Sequence, residues 1–109
     1  MDKTSDNPMK WSHFLAGFFA GVFLTNAIPH FVNGISGIPF PTPFSDPPGK
    51  GLSSPLINVL WALFNIIIGY LLFRYSKINS KSKLGLLVFF LGIVAISVMS
   101  SLAFEGKLK

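Results

Sequence analysis

Asn26, His30 and Asn33 sit within TNAIPHFVNG (residues 25–34), a stretch whose flanks are almost entirely apolar. Amides and imidazoles both donate and accept hydrogen bonds, and a histidine can also ligate a metal or carry a proton. At 100° per residue the three side chains fall within about 60° of one another on a helix. Asn58, Trp61 and Asn65, together with Gly69, fall within about 80° and form a second stripe. If the two segments are antiparallel helices, His30 and Asn58 lie about 6 Å from the same end, and Asn26 and Asn65 about 12–15 Å from it. The stripes are therefore expected to meet, Asn26 beside Asn65 and His30 beside Asn58, because unpaired amides in hydrocarbon are costly.

Two kinds of chemistry are open to such a patch. It fastens the helices, at about 0.6 kcal/mol per interhelical hydrogen bond, or it lines a space for water or a ligand, since five polar side chains exceed what one fastening needs. Metal binding is not expected. His13 lies about 25 Å from His30 along a helix axis, no Asp or Glu falls inside an apolar segment, and the chain has no cysteine. The same inventory removes a carboxylate proton relay and any cofactor held by thiolates. It also offers no nucleophile with its base, so an enzyme is not expected. His30 is read as a hydrogen-bonded structural histidine, its other roles being titration or meeting its own copies on an oligomer axis.

The elements that position these groups are three apolar segments near residues 11–33, 55–74 and 84–104, each close to the ~20 residues that cross a bilayer core. Only 12% of the 109 residues are charged, and apart from Arg74 at a segment edge the charges lie between or outside these segments. The fold expected is an all-α membrane protein with three transmembrane helices in a single transmembrane domain, the first helix beginning near residue 8. Asn7 reads as its cap, Pro8 as its first residue and Trp11 as an interfacial anchor, with Ser54 and Pro55 playing the first two roles for the second helix. A cleaved signal peptide is the rival reading of the first segment. The apolar run is too long for one, and TNAIPH offers no small-residue cleavage pattern.

The net charge of +5 is a topology signal before it is a nucleic-acid signal. Arg74, Lys77, Lys81 and Lys83 crowd the short connection at 75–83 and its edges, as in a cytoplasmic loop. With Lys3 and Lys10 they make six cations inside against Lys50, Lys107 and Lys109 outside, which predicts an N-in, C-out orientation in the cell membrane. The connection at 34–54 is then outside. Its five prolines from Pro39 to Pro48 forbid a helix, with DPPGKG marking a turn, and Phe40 and Phe44 interleave with them. It is read either as a stiff strap at the headgroups or as a lid over a site at the helix ends. Pro29 removes a helical donor, which predicts a bend.

Small residues mark packing faces. Gly17 and Gly21 form a GxxxG opposite the Asn26 and His30 face, and Gly85, Gly92 and Ala103 form a stripe on the third helix flanked by Ser97 and Ser101. More such faces than one chain needs suggest self-association.

Across NAIPHFVNGISGIPFPTPF and the following PPGKGLSSPLINVLWALFN, within roughly residues 13–73, the chain resembles a group of small bacterial membrane proteins of no assigned activity. The resemblance implies a bacterial multi-pass protein and carries over no functional residue. The function expected is a binding or interaction module whose partners are membrane lipids, its own copies or a membrane protein. The alternative is an oligomeric carrier or channel for a small solute.

Overall fold

The computed structural model describes residues 9–105. Its regular elements are three helices: α1 (Trp11–Ile35), α2 (Pro55–Ser76) and α3 (Lys83–Phe104). Each is long and apolar enough to cross a membrane.

Local hydrogen bonding explains where each helix starts and stops. α1 begins at Trp11, not near residue 8, because Lys10 acts as its cap. The Lys10 carbonyl accepts from His13 and Phe14, and His13 Nδ1 accepts the Lys10 backbone N–H at 3.0 Å. His13 thus plays the part a Glu or Gln takes in a capping box. The cap read at Asn7 and Pro8 lies outside the described residues, as do Lys3, Lys107 and Lys109. α1 remains helical through Pro29 and continues two residues past the expected 33. Its stop is Gly37, at φ +74°, where Gly37 N–H bonds Gly34 O and Ile38 N–H bonds Asn33 O, the paired bonds of a left-handed helix exit.

α2 starts as its sequence indicates, with Ser54 Oγ accepting the Ile57 N–H at 3.2 Å. It runs to Ser76, past the expected 74, because Ser76 Oγ donates to Phe73 O at 2.6 Å and accepts the Ile78 N–H at 3.2 Å. Lys77 then turns the chain at φ 61°. α3 begins at Lys83, and Ser82 provides no side-chain cap.

Contacts gather into two units, one formed by the described residues up to Thr25 with those from Ile68 onward, the other by Asn26–Ile67. In the first, α1 and α3 meet backbone to backbone. A side chain at Gly21 would overlap the Phe89 carbonyl, and one at Gly92 the Phe18 carbonyl. Ile78, buried in the connection between α2 and α3, fills the space left by Gly17 and Gly85. Tyr75 lies against His13 at 5.3 Å between ring centroids and bonds Ser12 Oγ. Gly17, Gly21, Gly85 and Gly92 are therefore buried against their own chain. These four positions are used in packing within the chain. Ser97 and Ser101 remain on an exposed face of α3.

Gly92→Ala is expected to destabilise the fold by about 1–3 kcal/mol, the usual cost of forcing extra volume into a filled contact. Ser97→Ala should cost less than about 0.5 kcal/mol. Reversible denaturant titration in micelles measures both.

Candidate functional site

Within the unit Asn26–Ile67, α1 and α2 run antiparallel and the polar stripes come together in register. Asn26 Nδ2 donates to Asn65 Oδ1 at 3.3 Å, and Asn65 Nδ2 donates back along its own helix to Trp61 O at 2.8 Å. His30 Nδ1 lies 2.8 Å from Asn58 Oδ1. Asn58 and Asn65 are almost completely buried, and His30 is buried with them.

Asn58 does more than pair with the histidine. Its Nδ2 donates to Phe40 O at 2.9 Å, Ser54 O at 3.0 Å and Ser53 O at 3.2 Å. Three carbonyls around one end of the amide identify that end as the NH2 group. The other end is then the oxygen, which accepts only, so His30 Nδ1 carries the proton it donates. The imidazole is also edge-on to Phe40, at 5.4 Å.

Asn33 does not join this cluster. Its Nδ2 donates to Pro29 O at 2.7 Å, turning back onto α1. Pro29 has no N–H of its own, and its carbonyl gains a side-chain partner through Asn33.

The connection between α1 and α2 folds over these side chains through hydroxyl groups. Phe40 and Ser53 exchange backbone hydrogen bonds as an isolated antiparallel bridge. Thr42 Oγ1 and Ser53 Oγ are 2.6 Å apart, Ser45 Oγ donates to Thr42 O at 2.6 Å, and the Gly49 N–H reaches the same carbonyl at 2.8 Å. Gly51 N–H closes the DPPGKG turn on Pro47 O, and the Asp46–Pro47 peptide is cis. The polyproline segment is thus a knotted cap of turns rather than an extended strap. Gly34 lets the end of α1 approach the Pro55 carbonyl and Val59.

Beside this cap, and separate from the polar pairs, lies a cavity of about 650 Å³. Phe44, Leu52 and Asp46 of the connection form one side, and Ile57, Leu60, Trp61 and Phe64 of α2 the other. Trp61 stacks on Phe64 at 5.6 Å and meets the edge of Phe44 at 5.1 Å. Its indole Nε1–H is buried and has no acceptor, alone in this among the buried side-chain polar atoms described.

No known protein family, curated protein or solved structure matches the chain. Its functional reading therefore comes from geometry. Among the described residues no three His, Asp or Glu side chains gather as metal ligands would. What the site offers is a largely apolar, aromatic-walled groove with one buried donor that lacks an acceptor.

Of the residues singled out by spacing, Asn26, His30, Asn58 and Asn65 form the paired cluster, Phe40 caps it, and Phe44 and Trp61 face the cavity. Leu52, Ile57, Leu60 and Phe64 were not singled out, because isolated apolar residues in an apolar segment carry no signal. The Thr42–Ser45 pair could have been read as a hydroxyl-capped turn in TPFS.

Asn58→Leu should lower stability by about 1–3 kcal/mol through the buried groups it strands. It should also hasten tryptic cleavage after Lys50, the one Lys or Arg between Ile35 and Pro55. Asn26→Leu combined with Asn65→Leu should be close to neutral in the same assays, because both partners leave together.

Proposed function

We propose that this chain is an integral membrane protein of three spans that works as a binding module, holding a lipid-like molecule between α2 and the α1–α2 connection. The observation that carries the reading is the groove of about 650 Å³ walled by Phe44, Trp61 and Phe64. Its size is within the ~300–1,000 Å³ of sites that hold small organic ligands. Ile57, Leu60 and Phe64 are exposed along a helix apolar enough to span, so in a membrane the groove opens toward acyl chains.

The orientation proposed is N-in, C-out in the cell membrane, supported by the cations crowded between α2 and α3 and the single Lys50 between α1 and α2. This puts the groove at the outer surface. A non-catalytic role is supported by how the polar groups of the groove are used: of its three serine hydroxyls, Ser45 bonds the Thr42 carbonyl, Ser53 the Thr42 hydroxyl, and Ser54 caps α2.

Binding is favoured over the oligomeric carrier because the polar side chains a solute path would use are engaged with one another. Asn26 is bonded to Asn65, His30 to Asn58, and Asn58 to three carbonyls. A second copy or a partner subunit remains compatible with α3, of which little is buried.

Mass spectrometry of the protein extracted gently with native lipids should find a retained lipid-like molecule, and Phe44→Ala should reduce its occupancy severalfold. A bare monomer with nothing bound would overturn the reading. Reporter tags active on one side of the membrane should place the N-terminus in the cytoplasm; an external N-terminus sinks the orientation.

A further inference from the structure

The indole N–H of Trp61 is the feature of the groove that hydrocarbon alone leaves unexplained. A buried donor without an acceptor is costly, and native structures rarely keep one without a reason. Asp46 and Trp61 line the same groove. A phospholipid with its headgroup at Asp46 carries its ester carbonyls, the acceptors nearest the headgroup, toward Trp61.

The polar end of the groove is also specific in charge. Asp46 is the one charged residue lining it, while Lys50 of the same turn does not line it. A headgroup ending in a cation complements this rim, and an anionic headgroup is repelled. Phe44, 67% exposed, packs perpendicular to the Trp61 ring at 5.1 Å and borders the same groove.

Resting on the lipid-binding reading, we propose that Trp61 Nε1–H donates to an ester carbonyl of a bound phospholipid whose headgroup ammonium lies at Asp46. Phosphatidylethanolamine has this chemistry. The donor selects the ester linkage, and the carboxylate selects against net negative headgroups.

The test uses the full chain in alkyl maltoside micelles, which contain no ester. The probes are ester-linked phosphatidylethanolamine, its diether analogue and ester-linked phosphatidylglycerol, each with brominated chains. Quenching of Trp61 fluorescence in a Trp11→Phe background reports occupancy of the groove, and the indole proton resonance of Trp61 reports the hydrogen bond. The ester probe is expected to move that resonance downfield and to bind about fivefold more tightly than the diether, the equivalent of one net hydrogen bond. Phosphatidylglycerol should bind about threefold more weakly than phosphatidylethanolamine, a difference lost in Asp46→Asn.

Equal quenching by ester and diether with an unmoved indole resonance would overturn the donor assignment while leaving lipid binding intact. Equal affinity for the two headgroups would overturn the role of Asp46. Quenching by none of the probes would remove the groove as a lipid site, and the proposal with it.

Discussion

One primary amide organises the α1–α2 half of this protein. Asn58 is fully buried, accepts from His30 on α1 through its oxygen, and spends its nitrogen on carbonyls of the connection and of its own helix start. In water such bonds are modest; in a medium that offers no alternative partner, each determines which neighbours the group must keep. The amide therefore joins three parts of the chain that hydrophobic contact alone would leave free to slide. Lipid tails are as apolar as leucine, so burial gives a spanning helix little preference for one register over another.

The polar cluster and the groove are adjacent and do different things. Hydrogen bonds close almost completely around Asn58, Asn65, His30 and the loop hydroxyls. One turn away, the indole of Trp61 is packed by rings on two sides and yet its N–H stays unmatched. The saturated region gives the connection a fixed shape, and that shape holds Phe44 over α2. A rigid cap beside an open apolar wall is a preorganised arrangement, in which ordering costs are met by the fold before any guest arrives.

Much of this was legible in the sequence, for reasons that can be named. The 3.6-residue repeat fixes direction and the 1.5 Å rise fixes depth, so Asn26 with Asn65 and His30 with Asn58 follow from arithmetic once antiparallel helices are assumed. Helix ends were less legible. Asn33–Gly34 looks like a stop because it breaks the apolar run, but Gly34 serves a close approach and Gly37 is the true exit. His13 was an apolar-face histidine with no assigned task, and only its bond to the Lys10 N–H makes it a cap. The prolines correctly forbade a helix in the connection, but its folding onto Thr42, Ser45 and Ser53 depends on contacts eleven residues apart that spacing does not encode. Asn33 was placed on the polar face with no partner named, and its bond runs back along α1 to the Pro29 carbonyl four residues earlier.

α1 is the least apolar of the three spans, at a mean hydropathy of 1.5 against 2.2 and 2.5, and the most enclosed. Its polar partners Asn58 and Asn65 are all on α2, which a ribosome makes later. Until α2 arrives, Asn26 and His30 have only water at the membrane surface or in the insertion channel to satisfy them. For spans that cross a bilayer, the unit whose polar groups are satisfied is thus the α1–α2 hairpin and not α1 alone.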